Sequence, residues 1–199
     1  MENLFSSKHE LISREDKEKL LNQKGVCLWL TGLSGSGKTT IAKTISKKLH
    51  KKGIITQVLD GDNIRIGINN NLSFSEEDRL ENIRRTSEIG KLFVESGIVT
   101  ICCLVSPTKK MREKAKSIIG ASDFYEIYIA TNLHECKKRD TKGLYEKAIR
   151  GEIKNFTGIS APYEKPNSPN LVGPTENISI EESSEILYNF AIPLIIKIE

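Results

Sequence analysis

The chain has 199 residues, 38% hydrophobic and 28% charged, with a net charge of +4, the proportions of one soluble globular domain able to bury a full core. So mild a positive balance argues only weakly for an anionic ligand; with scattered basic residues and no recognised binding motif, no nucleic-acid partner is expected. No run is long and apolar enough for a transmembrane helix and the N-terminus lacks a signal peptide's apolar segment, so neither membrane nor export is expected.

Residues 1–24 read as a polar leader, partly helical, and 25–199 as a single α/β domain. Apolar runs there alternate with amphipathic ones, the pattern of a mostly parallel sheet flanked by helices. A first strand is expected from Val26 to Leu30. Residues 32–39, GLSGSGKT, then match G-x-x-x-x-G-K-[ST] in full, between that strand and a helix expected from Lys38 to Lys51 that stops near Gly53. In such a loop Gly32, Leu33, Ser34, Gly35, Ser36 and Gly37 turn backbone N–H groups toward phosphate oxygens. The helix opened by Lys38, Thr39 and Thr40 adds the positive end of its dipole. Lys38 is expected on the β and γ phosphates of ATP and the Thr39 hydroxyl on Mg²⁺.

TQVLD, ending at Asp60, is expected as the second strand, and a long helix from Ser75 to Ser96, with Ser75 and Asp78 at capping-box spacing. Ile98 to Val105 is a β-branched run without alternation, as suits a strand buried on both faces. A basic helix follows Pro107, and Phe124 to Ala130 is expected as another strand. Residues 137–169 are polar, basic and broken by Gly and Pro, too long for a mere connector, and read as a mobile lid. Ser179 and Glu182 form a capping box for a last helix, IEESSEILYNF.

Cys27, Cys102, Cys103 and Cys136 show no CxxC spacing, so reduced thiols in a cytoplasmic protein are expected. His9, His50 and His134 are too scattered for a metal pattern. The N-x-[ST] triplets at Asn71, Asn155 and Asn177 are expected to be chance.

Parallel α/β sheets bind ligands beyond the carboxyl ends of their strands. The phosphate loop, the DGDNIR segment and the Ser-Pro at 106–107 all fall there, so they should share one crevice. No separate apolar strand ends in a bare Asp, which disfavours a motor, transporter or GTPase. Asp60 and Asp62 suit a small-molecule kinase instead. Asp60 would orient the Mg²⁺ water shell, and Asp62 would steer the acceptor hydroxyl proton. Locally, the same residues also read as a tight Asp-Gly turn.

The stretches WLTGLSGSGKTTIA, LDGDNIR, FSEEDRLENIRR, RDTKGLYEKAIRGEIKNFTGI and PYEKPNSPNLV, in this order, make the chain resemble the adenylylsulfate kinase (adenosine 5′-phosphosulfate kinase) family over almost its whole length. The resemblance implies a P-loop kinase fold, usually a homodimer, and transfer of the γ-phosphate of MgATP to the 3′-hydroxyl of adenylylsulfate. It also implies stacking of adenine between Phe74 and Phe156, whose bland alternative is core packing. Arg65, Arg79 and Lys142 match substrate-contacting positions suited to the phosphosulfate. For Arg79 a surface ion pair with Glu76 or Glu77 is the alternative. Asn63, Ile64, Asn82, Val105 and Asn155 fall at substrate-contacting positions of the same segments. Arg139, in the family's lid, would stabilise charge on the transferring group or stack on the nucleotide base. Ser106 falls at the family's phosphoserine position. No base lies nearby in sequence to activate it, so substrate contact with direct in-line transfer is the reading preferred here.

Departures from the family pattern are Ser73 for glycine, Thr108 for tyrosine, Thr141 for proline, and LVGPT for a more acidic segment. They leave every proposed catalytic group in place. Two alternatives stay open: a P-loop kinase with a sugar, shikimate-like or nucleoside acceptor, and a nucleotide-binding module without turnover. No ATP sulfurylase is expected in a chain this short, and association with a separate one is left open.

Overall fold

The computed structural model describes residues 11–140, 142–176 and 178–196; His9, Thr141 and Asn177 lie outside the described residues. Strand β1 (Cys27–Thr31) occupies the centre of the sheet. It pairs in parallel with β3 (Val99–Cys103) on one side and β4 (Phe124–Ile129) on the other. The edges are β2 (Thr56–Asp60) and β5 (Leu171–Gly173), giving the order β2-β3-β1-β4-β5 with all pairings parallel. Period-two alternation in a strand buried on both faces feeds two cores. Leu28 and Leu30 of β1 pack with α2 (Lys38–His50) and α8 (Ile180–Ile195), while Cys27 and Trp29 face α4 (Glu76–Glu95) and α5 (Lys109–Ile119).

The expected elements are present with ends shifted by at most two residues, except that the last helix runs five residues past its expected end at Phe190, to Ile195. Three segments carry structure the sequence reading did not give them. DGDNIR forms no Asp-Gly turn: Asp60 accepts a 3.1 Å bond from Asp62 N and so starts α3 (Gly61–Ile66). LVGPT supplies edge strand β5. The segment 137–169 begins at the end of α6 (Leu133–Arg139) and contains α7 (Leu144–Ile149). The capping box at Ser179 and Glu182 closes both ways, at 3.1 and 2.8 Å. That at Ser75 closes only half, because the Asp78 carboxylate turns to Ser73 N at 2.9 Å. The described part of the leader carries α1 (Arg14–Leu21) and is anchored to the domain. Arg14 donates to both carboxylate oxygens of Asp123, and Gln23 bridges Ile55 N and Gly97 O. All four cysteines are free and buried, with the Cys27 and Cys102 sulfurs 3.8 Å apart.

Candidate active site

Helix capping singles out the donor end of the site. The helices α1, α3, α4, α5, α6 and α8 each have an N-cap side chain accepting a first-turn N–H, and Asp140 does this for α7. Helix α2 alone among the described helices has no such bond. Its cap is Gly37 at φ 102°, so its first N–H groups stay available to an anion. Gly32 is required for a different reason: a Cβ there would lie 2.6 Å from Ile129 O. Lys38 is buried with its ammonium on Gly32 O at 2.8 Å and Leu33 O at 2.7 Å. Burial lowers its pKa to about 8, a penalty that a bound polyanion would offset. Beside it, the Thr39 hydroxyl donates to Asp60 Oδ2 at 2.7 Å.

Thr39 and Asp60 both line a cavity of about 1140 Å³, larger than the roughly 300–1,000 Å³ usual for one small ligand. Ser34, Gly35, Gly37, Lys38, Thr39 and Thr40 line its donor side. Asp62, Asn63, Arg65, Phe74, Arg79 and Asn82 line it from α3, α4 and the segment between them. Val105 and Ser106 line it beyond the end of β3, and Arg139 and Lys142 from the segment between α6 and α7.

Six candidates are placed elsewhere. Gly32 and Leu33 act through the carbonyls that hold Lys38, and Ser36 is buried. Ile64 packs against the core on the α4 side. Asn155 and Phe156 lie off the cavity wall. Asn155 O accepts from Arg79 Nη2 at 2.8 Å, and the Phe156 ring meets Tyr145 edge-on at 5.0 Å. Phe74 and Phe156 therefore do not form a facing pair across the cavity in this structure.

The acceptor wall is held by its own polar partners. The Arg65 guanidinium lies 4.3 Å from the Phe74 ring centroid and donates to Ser73 O at 2.8 Å. That of Arg79 lies 5.5 Å from the same ring and bonds Phe74 O. The alternative ion pair of Arg79 with Glu76 or Glu77 does not form among the described contacts. Phe74 is 55% exposed, so core packing is not its role. Lys142 is ion-paired with Asp62, which raises its pKa. Arg139 bonds Glu135 and Thr175 O, and its guanidinium lies 3.9 Å from where a Cβ on Gly37 would be.

Ser106 lines the cavity, yet its hydroxyl is engaged in the interior. It accepts from Trp29 Nε1 at 3.1 Å and donates to Thr31 Oγ1 at 2.9 Å, on a backbone at φ 38°.

A family model described as adenylylsulphate kinase matches residues 24–173. The chain belongs to the adenylylsulphate kinase family. An adenylyl-sulfate kinase of Phocaeicola vulgatus is 58% identical over 194 residues, covering 98% of this chain and 95% of its own length. One from Bacteroides fragilis is 56% identical over 191 residues, covering 96% and 95%. Among solved structures, the Mycobacterium tuberculosis APS kinase in complex with AMPPNP and APS superposes with a TM-score of 0.82 at 41% identity, over 85% of this chain and 98% of that one.

Sequence reasoning missed several residues that build this adenylylsulphate kinase site. Tyr145 is buried and donates from its hydroxyl to Ser34 O at 2.9 Å, joining α7 to the phosphate loop. Asp140 accepts from Leu144 N and Tyr145 N, both at 2.9 Å, and so caps the start of α7. An Asp a few residues ahead of the Leu-Tyr that opens α7 is a readable helix-start signal. Tyr163, bonded to Thr31 at 3.0 Å, extends the Trp29–Ser106–Thr31 chain and carries no local signal. Thr175, Ile178, Ile180 and Ser183 also line the cavity, from the start of α8 and the segment before it.

Proposed function

We infer that this chain is an adenylylsulfate kinase that moves the γ-phosphate of ATP to the 3′-hydroxyl of adenylylsulfate, giving 3′-phosphoadenylylsulfate and ADP. The observation that carries this is one cavity lined both by an uncapped phosphate-loop helix and by Asp62, Arg65, Phe74 and Arg79. A flat apolar ring flanked by guanidinium groups suits a purine nucleotide with an anionic tail. The α2 N–H groups and Lys38 bind the β and γ phosphates. Arg65, Arg79 and Lys142 bind the phosphosulfate, and Asn63, Asn82 and the backbone at Val105 and Ser106 complete that pocket. The 3′-oxygen attacks the γ-phosphorus while the bond to the β–γ bridging oxygen breaks, and ADP leaves with that electron pair. Asp62 takes the hydroxyl proton once Lys142 turns from it to the substrate. Lys38 and Arg139 stabilise the charge on the moving group.

The hydroxyl of Thr39 and the carboxylate of Asp60 are hard oxygen donors in contact, a set that fits Mg²⁺. Bound there with ATP, the metal supplies charge neutralisation on the phosphates. Direct transfer without a phosphoserine is supported by the buried, doubly bonded Ser106 hydroxyl. Rapid quench with γ-labelled ATP should leave Ser106 unlabelled; stoichiometric label that chases into product would overturn direct transfer. Residues 137–169 act as the lid, and the enzyme works as a cytoplasmic homodimer, which light scattering of the intact chain tests. An ADP-release panel with adenylylsulfate, gluconate, shikimate and nucleosides tests the acceptor. Turnover with adenylylsulfate is expected, and no response to it alone rejects the assignment.

A further inference from the structure

Three consecutive asparagines, residues 69–71, precede α4, and only Asn69 is fully buried. Its backbone is held at both ends, the N–H on Ile64 O at 2.9 Å and the carbonyl by Leu72 N at 3.0 Å. Its side-chain Nδ2 donates to Asn82 Oδ1 at 2.9 Å, while its own Oδ1 is buried without a partner. Asn82 lines the cavity on the acceptor wall. A primary amide has one end that accepts and one that donates. Because Asn69 occupies the accepting end of Asn82, the donating end is the one left for the cavity. The reverse arrangement would orphan the Nδ2 of Asn69, and a buried amine with two unpaired N–H donors costs more than one under-satisfied carbonyl oxygen.

We propose that Asn69 is a positioning residue that orients the Asn82 amide as a hydrogen-bond donor toward an acceptor atom of adenylylsulfate. This rests on the acceptor assignment above. The role needs an amide at Asn69, since a carboxylate there cannot donate to Asn82. It makes the polarity of the acceptor pocket depend on a residue that touches no substrate.

The test measures KM and kcat for both substrates in Asn69→Asp, Asn69→Ala, Asn82→Ala and the Asn69→Asp/Asn82→Ala double variant, with thermal unfolding of each. In Asn69→Asp the ionised carboxylate draws the Asn82 amine to itself, so acceptor faces acceptor in the pocket. KM for adenylylsulfate should rise about tenfold, with KM for ATP nearly unchanged. In Asn69→Ala the amide is merely freed, and KM should rise a few-fold. A carboxyl buried at Asn69→Asp has a raised pKa, and once protonated it again donates to Asn82 Oδ1. Its KM should therefore fall back as pH is lowered, which a purely structural defect would not do. In the Asn82→Ala background, Asn69→Asp should add less than about twofold. Equal losses for both substrates, no acid rescue, or full additivity in the double variant overturns the proposal. If Asn69→Asp does not fold, Asn69→Ala with adenylylsulfate KM unchanged overturns it alone. Wild-type protein inert toward adenylylsulfate rejects instead the acceptor assignment.

Discussion

In the donor loop the key cation is held within eight consecutive residues, 32–39, where Lys38 reaches back to Gly32 O and Leu33 O. The acceptor wall is tied across the chain instead, with Lys142 paired to Asp62 and Arg79 bonded to Asn155 O. The difference teaches how each half meets its ligand. The loop is preformed around a cation waiting for phosphate. On the wall, protein carboxylates and carbonyls hold the cations, so if the proposed acceptor binds there it must exchange those partners.

The largest effect expected on this contrast is Lys38→Ala, which removes the buried ammonium of the preformed half. Turnover should fall by at least about 10²-fold, and steady-state kinetics with saturating ATP checks it. Next is Asp62→Asn, which should lower kcat by about 10²-fold while KM for adenylylsulfate changes little. An Asp62→Asn enzyme of near-normal kcat would remove this carboxylate from the chemistry and leave it only as the partner of Lys142.

A third expectation concerns pH. In the free protein burial holds Lys38 at a pKa of about 8, and phosphate favours its charged form. ATP affinity should then weaken as pH rises through 8, by about tenfold one unit above it, with proton uptake on binding. Calorimetry in two buffers of different ionisation heat reads that proton directly, and binding without uptake at pH 9 would show the loop to be less desolvating than its geometry implies. Smallest is Tyr145→Phe, which cuts the lid's bond to Ser34 O. A neutral hydrogen bond of about 1 kcal/mol corresponds to roughly fivefold in kcat/KM. An unchanged value would mean the lid closes on the acceptor wall without help from the loop.

Local signals carried much of the fold. Ser179 and Glu182 announced the last helix, and the unbroken β-branched run announced β3, because caps and periodicity act over a few residues. At DGDNIR the alternative turn reading rests on the same short range. Asp-Gly favours a turn locally, and only the N–H of Asp62 on the Asp60 carboxylate makes it a helix start. The three-residue strand β5 carried no pattern of its own and exists because β4 offers it an edge.

In the site, the sequence by itself determined the donor half: its chemistry is backbone amides, one lysine and one threonine in a contiguous loop, and contiguity is what a motif records. It also named most of the acceptor residues through their resemblance to a family. Which of those reach the cavity was decided by tertiary structure alone. Packing sent Ile64 into the core, set Phe156 against Tyr145, turned the Ser106 hydroxyl to Trp29 and chose Asn69 from three neighbouring asparagines. The reason is physical: a buried polar group must find its partner wherever the chain delivers one, and sequence distance says nothing about that delivery.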